Sequence, residues 1–189
     1  RTESTNINLA KIMNGEDEEG YELLMKDIDA IAQQLLILQE ADVPILWRPL
    51  HEASGGWFWW GASGAEAYKQ LYILLYDKLT NEYGLNNLIW LWNGQDADWY
   101  PGDEYVDIIG EDIYPGEHVY TSQVNKFLEA VDYTQERRLC CLRTDACSTL
   151  SLLRETGQCG VCSAHGEQSS WQKTHQYILT VNSIRKRIC

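Results

Sequence analysis

Residues 43–61 read Val43-Pro44-Ile45-Leu46-Trp47-Arg48-Pro49-Leu50-His51-Glu52-Ala53-Ser54-Gly55-Gly56-Trp57-Phe58-Trp59-Trp60-Gly61. Val43–Leu50 is a short apolar run of the kind found in strands buried on both faces, and it ends at His51-Glu52. It therefore brings Arg48, His51 and Glu52 together at the C-terminal end of a strand. In a parallel barrel that end is where chemistry sits, because the strand-to-helix loops open there. Gly55 and Gly56 let the chain turn sharply, and the aromatics from Trp57 to Trp60 exceed what a loop needs for packing.

The flanking sequence alternates between two periods. Residues 15–41 predict a helix, with Leu23, Leu24, Ile28, Ile31, Leu35 and Leu38 at three- and four-residue steps. The acidic run at 16–19 opposes the positive end of the helix dipole, or is simply a solvated turn. A second helix is expected over Gly64–Tyr83, with Tyr68, Leu71, Tyr72, Leu75 and Leu79 on one face. Leu88–Trp92 and Val106–Ile113 read as buried strands, with a helix missing or short between them near Pro101–Tyr105. Ser122–Glu136 reads as a third helix, with Val124, Phe127, Leu128 and Val131 in phase. Strands alternating with helices argue for a parallel sheet. A full eight-stranded barrel takes about 250 residues. The expected fold is therefore α/β, a partial (β/α)8 TIM barrel holding only middle strands and helices.

The chain has 189 residues, enough for one domain with a sizeable core. Its 28 acidic residues outnumber 15 Lys and Arg, a net charge of −13. Such a chain is a poor partner for nucleic acid, because phosphate contacts need cations. No apolar run approaches the ~20 residues of a membrane span. Seven of the eight Trp fall within residues 47–99, and all six Cys fall from 140 onward. Residues 1–136 carry a net −18 and residues 137–189 a net +5, so the composition breaks near 137.

Trp faces stack on the apolar faces of pyranose rings, each worth about 1 kcal/mol beyond area burial. A carboxyl among aromatics loses hydration, which predicts a raised pKa for Glu52, as a general acid near neutral pH requires. The bland alternative is a hydrophobic loop with a surface Glu. Asp96 and Asp98 beside Trp99 are too few ligands for a calcium site, so neither a metal nor a cofactor is expected.

Arg48-Pro49-Leu50-His51-Glu52 followed by Gly55-Gly56-Trp57-Phe58-Trp59-Trp60 resembles the acid/base motif of glycoside hydrolase family 26. The resemblance covers roughly residues 20–136. Family members are retaining barrel enzymes, mostly endo-β-1,4-mannanases. The resemblance implies that Glu52 is the general acid/base and that His51 contacts the sugar at the cleavage point. It implies that Trp57 is a stacking platform on the leaving-group side, with Arg48 and Trp60 also in the substrate site. Ile109-Gly110-Glu111-Asp112-Ile113-Tyr114 is similar to the family's sixth strand, where Tyr114 would sit beside the nucleophile and orient it. Leu88–Gln95 is similar to the fifth strand, so Trp92 and Asn93 could face the cleft, whereas Trp90 reads as core. A polysaccharide substrate, mannan or a related β-glycan, and secretion of the parent protein follow as expectations. β-1,3-Xylanases and mixed-linkage glucanases share the motif, and a non-catalytic carbohydrate-binding protein could use the same Trp platform.

A retaining glycosidase needs two carboxyls about 5–5.5 Å apart. The family's nucleophilic Glu lies on the seventh strand, where this chain reads Leu139-Cys140-Cys141-Leu142-Arg143-Thr144-Asp145, without a Glu. A frame that takes the last base of each codon with the first two of the next permits Glu-Asn-Gly across Leu142–Asp145. The same frame permits a Trp-bearing eighth-strand sequence between Gly157 and Trp171. Two domain segments are therefore expected: 1–137, a fragment of a family 26 catalytic barrel, and 138–189, a frameshifted or divergent tail corresponding to the last barrel strands. The polypeptide as it stands is expected to be inactive and poorly folded, with unpaired sheet edges. Read at face value, Cys159, Cys162, His165 and His175 could instead bind zinc, but Cys140, Cys141 and Cys147 do not supply a second ligand pair. Disulfides would suit a secreted chain, though nothing selects among the pairings.

Overall fold

The computed structural model describes residues 5–114, 124–134 and 139–144, with Phe127 and the last six as backbone only. Four parallel strands form one sheet in chain order: β1 (Ile45–Trp47), β2 (Leu88–Trp92), β3 (Ile108–Ile113) and β4 (Leu139–Thr144). The helices are α1 (Leu9–Met13), α2 (Glu18–Glu40), α3 (Ala65–Tyr76) and α4 (Val124–Val131). Adjacent parallel strands need crossover connections, and α3 and α4 supply two of them. The β2–β3 crossover instead uses two 3-10 turns, Ala97–Trp99 and Asp103–Tyr105, where a short or missing helix is expected. The arrangement is part of a (β/α)8 barrel wall. Among the described residues, no helix is long and apolar enough to cross a membrane.

Each element follows from its sequence, and some boundaries move. β1 is three residues long, not eight. Pro49 has no N–H to donate to a ladder, and Leu50 is left-handed at φ 52°, so the strand ends before Arg48. The Asp17 side chain accepts from the Gly20 N–H, placing the start of α2 inside the acidic run. α3 ends at Tyr76 and passes into a wider turn, Asp77–Glu82, where the Tyr83 N–H reaches back to the Lys78 carbonyl at 2.9 Å.

The core lies between helices and sheet. Tyr68, Leu71, Tyr72, Leu75 and Leu79 are all buried, as their spacing predicts. Trp90 and Trp92 are also buried, Trp90 packing edge-on to Tyr72 and Trp92 edge-on to Tyr100 and Tyr133. Trp92 thus belongs to the core rather than the cleft. On α2 only Ile28, Ala32 and Leu35 are buried, whereas Leu23, Ile31 and Leu38 are exposed. The apolar stripe there is wider than the side that meets the sheet. Leu128 on α4 is likewise exposed, and Ala130 is buried. Asp145 and the Cys and His residues of the zinc alternative beyond it lie outside the described residues.

Candidate active site

The site forms at the C-terminal ends of β1, β2 and β3. Beyond β1 the chain makes a tight elbow in which Leu50 and Glu52 are both left-handed, each at φ 52°. Such backbone is costly for residues with side chains and persists where the surroundings over-determine it. The Glu52 N–H donates to the Asn93 carbonyl at 2.7 Å, and the Ser54 N–H to the Gly94 carbonyl at 3.2 Å. The end of β2 therefore clamps the elbow.

The side chains converge on Glu52. The Tyr114 hydroxyl donates to Glu52 Oε1 at 2.7 Å, from the residue just past β3. Asp112 also hydrogen-bonds Glu52, and its carboxylate forms an ion pair with Arg48. Arg48 donates in addition to Asn93 Oδ1 at 2.6 Å, and Asn93 Nδ2 donates to the Gly110 carbonyl at 2.8 Å. Arg48 is thus a strut across three strand ends, with its side chain 29% exposed. Asn93 and Asp112 are buried and fully engaged in this network.

The expected rise of the Glu52 pKa is not what the site produces. Burial does push it up and is the largest single influence. Hydrogen bonds from Tyr114 and Trp57, a proton shared with the Asp112 carboxyl, and the nearby His51 charge together outweigh burial, so the carboxyl titrates below the ordinary glutamate value. Aromatic neighbours alone would desolvate Glu52. The Tyr114 hydroxyl that donates to its charge comes from just past β3, some sixty residues away in sequence.

The aromatic loop splits into two parts. Trp57 is half-exposed at 48%, and its ring lies on Gly55, where an added Cβ would meet ring carbons at 2.0 Å. Trp60 is partly buried, stacked on Phe58 at 4.4 Å with 13° between planes, and edge-on to Trp59. The Trp60 indole N–H donates to the His51 carbonyl at 3.0 Å. The His51 ring packs at a tilt against Phe58 and Trp60.

Glu111, next to Asp112, faces the opposite side of β3. It is buried against α4 and Tyr133, and burial pushes its carboxyl up to about 7. The sequence reading named Asn93 as a residue that could face the cleft but gave no role to Asp112, which supports the site, or to Glu111, which faces away from it. Their signal was polar residues set in or directly after the apolar runs Leu88–Trp92 and Ile108–Ile113.

The arrangement holds one accessible carboxyl at a strand end, with a Tyr donor, an Arg-Asp support and a half-exposed Trp face beside it. The family model for glycosyl hydrolase family 26 matches residues 1–158. The chain belongs to glycosyl hydrolase family 26. A mannan endo-1,4-beta-mannosidase of Thermothelomyces thermophilus is 53% identical over 129 residues, covering 68% of this chain and 27% of the relative. A solved β-(1,4)-mannanase of Podospora anserina superposes with a TM-score of 0.78 at 41% identity, over 85% of this chain and 36% of that one. A β-mannanase from a symbiotic protist of the termite Reticulitermes speratus, solved with gluco-manno-oligosaccharide, gives 0.70 at 37% identity, over 75% of this chain and 44% of that one. The family 26 segment described here thus spans about a quarter to under half the length of these relatives.

Proposed function

We propose that the whole protein is a secreted retaining endo-β-1,4-mannanase and that Glu52 is its general acid/base. The observation that carries this reading is Glu52 at the strand end, held by Tyr114 and Asp112 beside the half-exposed Trp57. Glu52 first protonates the glycosidic oxygen as it leaves, then takes a proton from the water that releases the glycosyl-enzyme. Trp57 stacks on a sugar on the leaving-group side and His51 contacts the sugar at the cleavage point. Arg48 holds the cleft floor through Asp112. Relatives named for mannan hydrolysis, and one solved with a gluco-manno-oligosaccharide, support mannan over xylan or mixed-linkage glucan.

Asp112 is a poor nucleophile for this reaction. It lies within hydrogen-bonding reach of Glu52, too close for an anomeric carbon to fit between them at the 5–5.5 Å that retention requires. The missing carboxyl belongs on the next strand. Position 143 is the register partner of Asp112 across β3 and β4, and Leu139–Thr144 contains no Asp or Glu. A reading frame that restores Glu at the Leu142–Arg143 junction would put a carboxylate there, with 138–189 as the shifted tail. A further carboxylate near Glu52, not paired with Arg48 as Asp112 is, would raise its pKa by like-charge repulsion. That shift favours the protonated acid that the first step needs. Tyr114 would then be free to orient the nucleophile. The 189-residue chain, lacking that group, is inactive.

The test replaces Glu52 by Gln in the whole protein with the 138–189 frame restored. Turnover of mannohexaose falls at least 100-fold with binding retained, as loss of acid/base catalysis predicts. Turnover that survives the change refutes the role of Glu52. Binding without turnover in the unchanged protein favours a carbohydrate-binding protein.

A further inference from the structure

Leu50 and Glu52 are left-handed on either side of His51, so the peptide groups between them must be held in place. β2 holds one side through the Glu52 N–H on the Asn93 carbonyl. On the other side, the His51 carbonyl accepts the Trp60 indole N–H at 3.0 Å. Trp60 is itself fixed by its stack on Phe58 and by packing into both core clusters, each of which also includes Leu50. The loop is drawn tight at the same point: a Cβ on Gly61 would lie 2.1 Å from the Ala53 carbonyl oxygen, so the chain after Trp60 runs directly against the chain after Glu52. Three features thus converge on one elbow: a donor aimed at its carbonyl, a ring stack behind that donor, and a backbone approach only Gly permits.

We propose that Trp60 is a positioning residue for the reaction, its indole N–H fixing the Leu50–His51–Glu52 backbone so that the Glu52 carboxyl meets Tyr114 and Asp112. The proposal rests on the reading of Glu52 as the reacting carboxyl. It divides the aromatic loop by task. Trp57 presents its face to sugar, and Trp60 spends its one polar atom on the backbone of the catalytic elbow.

Trp60→Phe keeps an aromatic ring to stack on Phe58 and removes the N–H together with part of the ring's bulk. In the 189-residue chain, the Glu52 titration is followed by carboxyl carbon NMR, assigned with Glu52→Gln, and mannohexaose binding is measured in parallel. Trp60→Phe moves the Glu52 midpoint up, toward the ordinary value of 4.5, as the Tyr114 and Asp112 contacts loosen. Mannohexaose affinity stays within twofold, whereas Trp57→Ala weakens it at least fivefold. Phe58→Leu, which leaves the N–H but removes the stack, moves the midpoint the same way by less. This second variant keeps the test open should Trp60→Phe lose its cooperative unfolding. An unmoved Glu52 midpoint in the variants that fold overturns the proposal, as does a loss of affinity in Trp60→Phe equal to that in Trp57→Ala. A moved midpoint supports the positioning role even if no version of this chain binds mannohexaose, and the mannan reading is then decided by sugar release from the whole protein with the 138–189 frame restored.

Discussion

Replacing Glu111 by Gln should change how the stability of the chain depends on pH. Glu111 is buried on the helix side of β3, and its Oε1 has no hydrogen-bond partner among the described residues. Lys126 and Glu129 of α4, Tyr133, and Asp112 on its own strand are the charged or titratable groups that act on it. Burial dominates and pushes its pKa from 4.5 up to about 7. Below pH 4.5 the carboxyl is protonated whether the chain is folded or not, and stability is unaffected. Between 4.5 and about 7 the unfolded chain has released a proton that the folded chain retains. Stability therefore falls as pH rises through this window, and it levels off above the folded pKa. At about 1.4 kcal/mol per pH unit, the full interval corresponds to about 3 kcal/mol. Gln has the same shape and no charge, so Glu111→Gln should remove this slope. Urea unfolding followed by Trp fluorescence, on both proteins at pH 5, 6, 7 and 8, isolates the difference, because other titrating groups cancel. The variant should match the parent near pH 5 and exceed it by up to about 3 kcal/mol at pH 8. A difference that is constant from pH 5 to pH 8 would refute the reasoning.

Gly55→Ala places a methyl where the Trp57 ring lies and should displace the platform. Mannohexaose affinity by calorimetry should fall about fivefold, the loss expected for one ring stack of about 1 kcal/mol, and unchanged affinity would mean that the ring binds no sugar. Tyr114→Phe removes the hydroxyl that donates to Glu52, so the Glu52 midpoint should rise in a carboxyl NMR titration. A fall would reverse the assigned cause. Tyr72→Phe deletes a buried hydroxyl with no partner among the described residues. Thermal and urea unfolding should show stability unchanged or raised by about 1 kcal/mol, whereas a loss above that size would mean the hydroxyl is satisfied.

Much of this was legible in the sequence because the signals were local. Leu88–Trp92 is a strand over the residues its apolar run names, and the Tyr68–Leu79 face of α3 and the following turn is buried as its spacing requires. Local signals failed where distant parts of the chain decide. The Val43–Leu50 run looks long enough for a full strand, yet Pro49 and the left-handed Leu50 cut it to three residues. Leu23, Ile31 and Leu38 keep helical phase with Ile28 and Leu35, but the phase alone does not say how wide a stripe the sheet covers. The direction of the Glu52 shift was missed for the same reason. Its aromatic neighbours are next to it in sequence, while Tyr114 and Asp112 come from β3. Trp60 is adjacent in sequence too, but its bond to the His51 carbonyl depends on how the elbow turns.

The most direct test of the account compares sugar release from galactomannan, xylan and mixed-linkage glucan by two proteins. One is the 189-residue chain, and the other is the whole protein with the 138–189 frame restored. The account predicts release by the restored protein alone, from galactomannan, and its loss on Glu52→Gln. Release by the 189-residue chain, release that survives Glu52→Gln, or no release from galactomannan by either protein would contradict it.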